Sequence, residues 1–340
     1  MNYLDFIEKE LKLPEKDKNS PLVLDLFAGC GGLALGFEAA GFRTIGYEML
    51  PVACQTYNKN LKGWCKQVFL DTKSELDESA DVVIGGPPCQ PFSVIGNQSG
   101  VSDPRNGFPA FLSAVEKYNP KIVVFENVRG MFYRNKWYLD KIVEYLQDNL
   151  KYNVEPPKIL NAVHYGVPQR RERLFVVAHR GNWKFPEPFH WNFTAGDALG
   201  ELAFSIPESA KFLTKSMDDY IERYERKSHC MRPRDLHLDQ PSRTVTCRNL
   251  NGATGDMLRI RLPDGRRRRL TVREAAKLQS FPDWFEFCGS EGEQFNQIGN
   301  AVPPLLAKAV AMSVLQCIKG TDILENTPSL AKKHRMMITQ

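Results

Sequence analysis

Residues 21–40 read P-L-V-L-D-L-F-A-G-C-G-G-L-A-L-G-F-E-A-A and combine a strand, a tight turn and a helix. The mostly apolar run P-L-V-L-D-L-F at 21–27 predicts a buried strand. The glycines that follow allow the backbone to turn sharply or to approach a ligand closely. The next apolar segment predicts a helix, with Gly41 as its stop. The stretch therefore predicts the first strand-turn-helix unit of an α/β fold.

The first two-thirds of the chain continues this alternation of β-rich runs with helical patterns. Further strands are predicted at R-T-I-G-Y-E, K-Q-V-F-L-D, A-D-V-V-I, P-K-I-V-V-F-E-N-V and Arg173–Ala178. The alternation indicates βαβ units around a largely parallel sheet. Ligands bind such sheets at the carboxyl ends of the strands. Glu48, Asp71, Cys89 and Glu126 are predicted to lie at those ends.

After about Arg180 the pattern changes and the charge becomes uneven. The segment L-R-I-R-L-P-D-G-R-R-R-R-L-T-V predicts a hairpin, and helical periodicity returns in V-R-E-A-A-K-L-Q-S-F and P-P-L-L-A-K-A-V-A-M-S-V-L. The chain has a net charge of +5, and Ser228–Leu270 alone holds ten arginines and four aspartates. Because arginine suits bidentate contacts with phosphate and guanine, this concentration favours a polyanionic partner over a merely solvated face.

The remaining bulk features favour a cytosolic protein. The N-terminus M-N-Y-L-D-F-I-E-K-E-L is unlike a signal peptide, and no apolar stretch reads as a membrane span. The eight cysteines form no C-x-x-C pair, so they indicate free thiols and no metal site.

The glycine turn indicates an adenosine-type cofactor without deciding which one. Gly29, Gly31 and Ala34 satisfy G-x-G-x-x-A, and Glu48 lies where a ribose-binding carboxylate is expected. Both a nicotinamide dinucleotide and S-adenosylmethionine fit this pattern. Asp71 adds a second carboxylate that suits an adenine amino group, although it suits a loop or helix cap equally well.

The stretch G-G-P-P-C-Q-P-F-S at 85–93 presents Cys89 on a stiff loop, just after a predicted strand. A small buried thiol and a nucleophile are both consistent with that loop. No histidine is placed as a base, so the arrangement is not that of a protease. A thiolate beside the Glu126 carboxyl suits addition to carbon 6 of cytosine, with the carboxyl hydrogen-bonded to ring nitrogen 3.

Six motifs in order resemble those of the DNA cytosine-5 methyltransferases, particularly the compact prokaryotic modification enzymes. They are D-L-F-A-G-C-G-G, G-G-P-P-C-Q-P-F-S, E-N-V, Q-R-R-E-R, R-L-T-V-R-E-A-A-K-L-Q-S-F-P-D and Q-I-G-N-A-V-P-P, between Leu22 and about Gln316. The resemblance implies a Rossmann-like α/β sheet that uses S-adenosylmethionine. It also implies an inserted, smaller target-recognition domain and methyl transfer to carbon 5 of a flipped-out cytosine in double-stranded DNA.

The resemblance also implies roles for individual residues. Cys89 matches the nucleophile, Glu126 the group that engages the cytosine, and Arg171 and Arg173 the arginines that help hold the flipped base and the catalytic loop. The residues expected at the cofactor are Phe27, Ala28, Gly29, Gly31, Gly32, Glu48, Asp71, Asn300 and Val302. The loop Gln90–Gly107 matches the mobile catalytic loop, and Gln90 and Ser93 are expected to contact DNA.

In the recognition region, DNA contacts are expected from Arg232, Arg234, Arg243, Arg248, Arg259 and Arg261. The run 266–269 is predicted to bind phosphate or to be solvated rather than to read sequence.

These assignments divide the chain into a catalytic domain at 1–180 and 270–316, a recognition domain at 181–269 and a C-terminal tail at 317–340. We expect a cytoplasmic prokaryotic monomer without membrane contact. The compact architecture suggests a cognate restriction endonuclease that acts on the same DNA sequence, although solitary methyltransferases share that architecture. Three alternatives stay open: a tRNA methyltransferase of the same family, although its Cys-Phe-Thr motif is absent here; a non-catalytic DNA-binding relative; and a nicotinamide oxidoreductase.

Overall fold

The computed structural model describes residues 2–15, 17–88, 106–227, 234–252 and 255–326, the last six of these as backbone only. Four residues with predicted roles lie outside the described residues: Cys89, Gln90, Ser93 and Arg232. Nearly all of the predicted catalytic loop Gln90–Gly107 lies outside them as well.

One eight-stranded sheet forms the centre of the described structure. The strands of the first 180 residues are β1 (Leu22–Leu26), β2 (Arg43–Glu48), β3 (Trp64–Gln67), β4 (Val82–Gly85), β5 (Ile122–Val128), β6 (Asn153–Val154), β7 (Lys158–Asn161), β8 (Gln169–Arg170) and β9 (Glu172–His179). All except β8 join the sheet, in the order β3-β2-β1-β4-β5-β9-β6, and β7 also pairs with β9. The pairs among β1 to β5 are parallel, whereas β9 runs antiparallel to β5. The predicted α/β fold with a largely parallel sheet is confirmed.

Two predicted strand ends are wrong. β3 stops at Gln67 instead of reaching Asp71, because its neighbour β2 ends at Glu48, directly opposite Gln67. β5 does not end at Glu126 but continues to Val128, because β9 still pairs with it there. Glu126 therefore sits inside a hydrogen-bonded ladder, which fixes its backbone more firmly than a strand end would.

The helices cover both faces of the sheet. They are α1 (Tyr3–Glu10), α2 (Gly32–Ala39), α3 (Pro51–Asn60), α4 (Phe108–Tyr118), α5 (Gly130–Tyr133), α6 (Lys136–Glu144), α7 (Ala195–Leu199), α8 (Lys215–Lys227), α9 (Cys247–Leu250), α10 (Val272–Leu278), α11 (Glu291–Asn300) and α12 (Pro304–Asn326). A π-helical turn, Tyr145–Asn149, extends α6. Two 3-10 turns lie at Ala162–Tyr165 and Gly200–Phe204.

The hydrophobic core has two layers, because successive side chains of a strand point to opposite faces. In β1, Val23 joins the cluster formed with α1, α2 and α12. Its neighbours Leu22, Leu24 and Leu26 join the cluster formed with α4 and α6. The sheet is therefore buried on both faces, as its nearly continuous apolar strands predict.

The stretch Glu291–Gly320, which comprises α11 and α12, is long and apolar enough to cross a membrane by length and composition alone. However, 67% of its most apolar window is buried inside the described structure. Leu306, Val310 and Val314 on α12 are fully buried in the same cluster as α2. The apolar character is thus that of a core helix.

The region 181–269 adds α7 to α9 and three short strands, β10 (Ser242–Arg243), β11 (Arg259–Arg261) and β12 (Arg267–Arg269). The predicted hairpin is confirmed, since β11 and β12 pair antiparallel around Gly265, whose φ is +85°. Apolar side chains of the region, such as Leu258, share one cluster with those of α2 and α12. The predicted domain boundary between residues 180 and 181 thus passes through a continuous hydrophobic core. The two-domain organisation stays a prediction.

The predicted boundary at 316/317 falls inside a helix. α12 continues to Asn326, and Cys317 and Ile318 are buried. The C-terminal tail therefore cannot begin at 317 as predicted. Residues 327–340 lie outside the described residues.

A substitution at Gly36 tests the packing of α2 on α12. A Cβ at Gly36 would lie 2.4 Å from the backbone nitrogen of Lys308 and 2.5 Å from Cβ of Ala307. We expect Gly36→Ala to cost about 1–3 kcal/mol through overpacking and to lower Tm by roughly 1–4 °C. Thermal unfolding followed by circular dichroism measures this.

The matched control is Gly320→Ala on α12, where an added Cβ meets nothing within 4 Å. Since alanine favours a helix over glycine, its Tm should stay equal or rise slightly. A Tm for Gly36→Ala equal to that of the unchanged protein would contradict the close approach of the two helices.

Candidate active site

The turn between β1 and α2 has an unusual backbone. Phe27, Gly29 and Gly31 have φ values of +61°, +55° and +88°. A non-glycine residue with positive φ is strained, and such strain clusters at functional sites. A Cβ at Gly29 would meet nothing within 4 Å, so that position faces open space. The turn thus leaves open space beside Gly29 at the switch point of the sheet, between β1 and β4, where α/β proteins bind ligands.

Glu48, at the end of β2, ties this turn to the next strand. Its Oε2 accepts a hydrogen bond from the backbone N–H of Gly29 at 2.9 Å, and its Oε1 accepts one from Leu50 at 2.9 Å. The side chain is buried. Each carboxylate oxygen retains a further acceptor site, so Glu48 can still receive ligand hydroxyls.

The segment after α11 closes against the same turn. A Cβ at Gly32 would lie 2.6 Å from the carbonyl oxygen of Val302 and 3.1 Å from Cβ of Ala301, so only glycine fits there. Asn300 is exposed, and its Oδ1 accepts a bond from the thiol of Cys247 at 3.0 Å. The structure therefore places Val302 beside the glycine turn, while Asn300 faces α9.

Asp71 lies in an exposed turn beyond β3. Its Oδ1 accepts hydrogen bonds from the backbone N–H of Lys73 and the hydroxyl of Ser74, both at 2.9 Å. These bonds hold the pKa of the Asp71 carboxyl below its usual range. The residue thus stabilises a turn, and its contact with adenine stays a prediction.

Asp25 is a buried carboxyl that the sequence-based prediction missed. Burial and the nearby charge of Glu48 raise its pKa well above the usual range. Its Oδ2 has no hydrogen-bond partner among the described residues. The sequence L-V-L-D-L could have identified this residue, because one acidic side chain interrupts a buried strand there. An unpaired buried oxygen of this kind is a natural acceptor for a ligand donor.

Glu126 and Arg173 form a nearly buried ion pair at the carboxyl edge of the sheet. Nε of Arg173 lies 2.8 Å from Oε1 of Glu126, and the side chains are 13% and 12% exposed. In the ladder Glu126 faces Phe175 and Arg173 faces Val128, so the two side chains are diagonal neighbours on one face. Burial raises the pKa of Glu126, and the positive charges of Arg173 and Arg171 offset part of that rise.

Asn127 fixes the loop that leads to Cys89. Its Nδ2 donates a hydrogen bond to the carbonyl of Pro87 at 3.0 Å. The carbonyl of Pro88 accepts a bond from the N–H of Gly107, also at 3.0 Å. Hydrogen bonds therefore fix the carbonyls of both prolines directly before Cys89. The sequence-based prediction missed Asn127, although its place in E-N-V beside Glu126 was a signal.

The start of that loop also lies beside the ion pair. A Cβ at Gly86 would be 3.5 Å from Oε2 of Glu126. Cys89 follows three residues later, outside the described residues. The described structure thus brings the loop and Glu126 together without showing the thiol.

Arg171 has a different environment from Arg173. It is fully buried, and its guanidinium donates to the carbonyls of Val245 (2.6 Å), Gly299 (3.0 Å) and Ala301 (2.9 Å). Burial and the charge of Arg173 lower its pKa well below the usual range. Its bonds are to backbone, so the structure shows it joining segments of the chain.

An open cavity of about 430 Å³ adjoins Arg173. Its lining residues are Val128, Arg129, Gly130, Asn161, Arg170, Glu172, Arg173 and Thr244. The one carboxylate in this lining, Glu172, is paired with Arg129 at 2.6 Å. Arg173 is paired with Glu126, so Arg170 gives the described lining its excess positive charge, which suits an anionic ligand.

The arginines of Ser228–Leu270 divide into buried and exposed groups. Arg259 is fully buried and bonded to Glu225 and Asp235 at 2.9 and 2.5 Å. Arg234 and Arg243 share the carboxylate of Asp256. In contrast, the side chain of Arg248 is 68% exposed, and Arg261 is exposed on β11.

The prediction that the run 266–269 binds phosphate or is solvated is wrong for its two central members. Arg267 pairs with Asp218 and Asp235 and is buried. Arg268 is fully buried and forms a bidentate pair with Glu274, at 2.9 and 2.7 Å. Carboxylates from distant segments thus neutralise charges that are adjacent in sequence.

Comparisons with known proteins agree with this geometry. Residues 22–316 match the family model of the C-5 cytosine-specific DNA methylases. The chain is similar to "Type II methyltransferase M.AplI" of Arthrospira platensis, with 59% identity over 97% of this chain and 94% of that protein. It is also similar to "Type II methyltransferase M1.HphI" of Haemophilus parahaemolyticus, with 36% identity over 86% of each chain.

Solved structures show the same fold. A putative DNA modification methyltransferase from an Escherichia coli prophage has a TM-score of 0.66 at 23% identity, over 88% of this chain and all of that one. A mutant of Spodoptera frugiperda DNMT2 has a TM-score of 0.68 at 18% identity, with the same coverage.

Arg171→Met tests the buried guanidinium. The change keeps the length of the side chain but withdraws the donors from three carbonyls. We expect it to lower the free energy of unfolding by roughly 2–4 kcal/mol, since buried acceptors that lose their partners are costly. Urea denaturation followed by fluorescence measures the loss.

The control is Arg170→Met, which removes an exposed guanidinium one residue earlier and should leave the free energy of unfolding within about 0.5 kcal/mol. Equal or higher stability of Arg171→Met would show that the cost of burying the charge exceeds the contribution of its three hydrogen bonds.

Proposed function

The chain belongs to the C-5 cytosine-specific DNA methylases, and from that premise we propose the reaction of its site. The protein transfers a methyl group from S-adenosylmethionine to carbon 5 of a flipped-out cytosine in a specific short duplex sequence, through a covalent bond between Cys89 and carbon 6. The observation that carries the proposal is the Glu126–Arg173 pair beside the loop that leads to Cys89. Membership of this family decides against the nicotinamide oxidoreductase.

The residues around the glycine turn fit the proposed cofactor. Glu48 has acceptor sites for ribose hydroxyls, Gly29 leaves open space, and Val302 closes one side. When bound, S-adenosylmethionine supplies an electrophilic methyl group on a sulfonium. Phe27, Ala28, Gly29, Gly31 and Gly32 would hold it from the turn, with Asp71 at the adenine.

Cys89 supplies the nucleophile in this proposal. Its thiolate forms a bond to carbon 6, and the electrons of the C5=C6 double bond move to carbon 5, which becomes nucleophilic. Carbon 5 then takes the methyl group, the bond between that methyl and the sulfonium sulfur breaks, and its electron pair stays on sulfur. Carbon 5 next loses its proton to solvent water. The electrons of that C–H bond re-form the double bond and expel the Cys89 thiolate. Carbon 5 of an intact cytosine is too weak a nucleophile, so the thiol step is necessary.

Glu126 stabilises the charge that this addition creates. Electron density reaches ring nitrogen 3, and a carboxylic acid there can donate a proton or a strong hydrogen bond. Because burial raises its pKa, Glu126 keeps that proton to higher pH than an exposed glutamate does. Arg173 orients the carboxyl through the 2.8 Å contact.

Base flipping follows from the direction of attack. The thiolate approaches carbon 6 perpendicular to the ring, and in a duplex the neighbouring bases cover that face. The extruded nucleotide needs a positive cavity close to Glu126. The cavity beside Arg173 meets both requirements, and Arg129 and Arg170 would face the backbone phosphates there.

The remaining proposals concern partners. The substrate is double-stranded DNA, and we propose contacts from Gln90, Ser93, Arg232, Arg248 and Arg261. Arg259 is left out, because its guanidinium is buried between two carboxylates. Arg234 and Arg243 contribute to DNA binding indirectly, because they hold the carboxylate of Asp256. The curated relatives named above are Type II methyltransferases, which supports a cognate restriction endonuclease in a prokaryotic cytoplasm; the monomeric state is part of the same proposal.

Cys89→Ser tests the nucleophile and the reaction together. The chain is expressed in a bacterial host without cytosine methylation, and its plasmid is sequenced after bisulfite treatment. We expect protected cytosines in one recurring sequence with the unchanged chain and none with Cys89→Ser, because a serine hydroxyl remains protonated and adds poorly.

Cys288→Ser is the matched control, since it alters a free cysteine in the loop between α10 and α11 and should retain full protection. If soluble, cofactor-binding protein protects no cytosine in DNA, tRNA becomes the next substrate to test. Protection by the Cys89→Ser variant would refute the proposed nucleophile.

Glu126→Gln tests the proton donor. Glutamine keeps the shape and one acceptor for Arg173 but cannot transfer a proton to ring nitrogen 3. Turnover on a duplex that contains the recognised sequence should fall by about 10²–10⁴-fold. S-adenosylmethionine affinity, measured by calorimetry, should stay within a factor of three. Glu155→Gln, whose carboxyl pairs with His179 at the opposite end of β9, serves as control and should keep normal turnover. Normal turnover by Glu126→Gln would remove Glu126 from the mechanism.

A further inference from the structure

A second open recess lies in the region 181–269, away from the Glu126 site. It has a volume of about 540 Å³ and lies between α8 and the residues Arg248, Gly255 and Asp256. Its lining residues are Ser216, Met217, Tyr220, Arg223, Tyr224, Arg234, Arg248, Gly255 and Asp256. Neither the glycine turn nor the Glu126–Arg173 pair contributes to it. We call it the α8 recess.

The charges of the α8 recess are unbalanced. Asp256 faces three guanidiniums: its Oδ1 lies 3.2 Å from Arg234 and 2.8 Å from Arg243, and its Oδ2 lies 3.9 Å from Arg248. Arg234 and Arg243 also donate to backbone carbonyls, so they are committed to the protein. One carboxylate for three arginines leaves a net positive site.

Arg248 is the arginine of this group that remains available. Its side chain is 68% exposed, and its nearest carboxylate oxygen is beyond hydrogen-bonding distance. Within the described residues its guanidinium therefore offers its fork of N–H donors to an external ligand. Oδ2 of Asp256 accepts no hydrogen bond from the described residues, so a donor and an acceptor stand side by side at the mouth of the recess.

This combination favours a base edge over a phosphate. A carboxylate beside Arg248 would repel a phosphate group. A G·C pair, in contrast, presents two acceptors on guanine and an amino donor on cytosine in the major groove. Arginine binds the former bidentately, and aspartate accepts from the latter. The partly exposed rings of Tyr220 and Tyr224, 6.3 Å apart and nearly parallel, provide an apolar wall of low conformational entropy.

Arg248 is also held rigidly with respect to the catalytic edge. It belongs to α9, whose first residue Cys247 bonds to Asn300 at 3.0 Å. Three residues before Arg248, the carbonyl of Val245 accepts the 2.6 Å bond from Arg171. A side chain that reads sequence needs such a fixed distance from the reacting base.

We propose that the α8 recess reads the DNA target and that Arg248, with Asp256, recognises a G·C pair within it. This inference rests on the proposed function, because it names a specificity determinant of the same reaction. The proposal gives Arg248 a role in base recognition, in contrast to arginines that only bind phosphates.

Bisulfite sequencing of genomic DNA tests the proposal in the methylation-free host. The unchanged chain first defines the recurring sequence, and Arg248→Ala is then compared with it. We expect one G·C position to become degenerate, with discrimination at that position reduced by about 10- to 100-fold. Arg226→Ala on α8, which removes an exposed arginine outside the recess, should keep the original sequence.

Each other outcome has a defined meaning. Methylation of the original sequence with undiminished stringency, at any overall level, would overturn the proposal and make Arg248 a phosphate contact. If Arg248→Ala methylates nothing, the purified variant is titrated with target and single-mismatch duplexes. An unchanged affinity ratio would overturn the proposal, and a ratio near one would support it. Absence of methylation by the unchanged chain would instead refute the proposed function.

Discussion

The buried guanidinium of Arg171 is the interaction on which the arrangement of the molecule most depends. It lies between β8 and β9 and donates to carbonyls before α9 and at the end of α11. The segment after α11 in turn covers the glycine turn. One side chain therefore joins the catalytic edge of the sheet, the support of the α8 recess and the closing wall of the cofactor site. Its partners are backbone carbonyls from separate segments, so these segments must all be in place for the three hydrogen bonds to form.

The antiparallel direction of β9 explains why a carboxyl and two arginines meet at one edge. The parallel strands all end at this edge, which brings together the glycine turn, Glu48 and the loop before Cys89. β9 begins where β5 ends, so its first residues add positive side chains to the same place. Arg173 then pairs with Glu126, and Asn127 holds the loop through Pro87. Glu126 and Asn127 thus each hold a neighbouring group at this edge, and the strand pairing places them there.

The basic region illustrates how folding redistributes charge. In sequence, Ser228–Leu270 appears as a strong excess of arginine. In the structure, carboxylates outside that window, Asp218, Glu225 and Glu274, neutralise several of these arginines. Only a few guanidiniums remain free to meet DNA. Because the phosphate backbone attracts any exposed arginine, limiting their number leaves room for contacts that depend on the base sequence.

The sequence by itself determined the parallel sheet, the glycine turn, the hairpin and the family, because these follow from local apolar patterns and from motifs of adjacent residues. It also placed Glu48 and Glu126 at the correct edge. Only the tertiary structure decided how far β3 and β5 extend, since a strand ends where its partner ends. Only the tertiary structure separated Arg171, which joins backbone segments, from Arg173, which pairs with Glu126. The same holds for Arg259 and Arg248: both are arginines in a basic segment, and burial against distant carboxylates, which no local pattern encodes, gives them opposite environments.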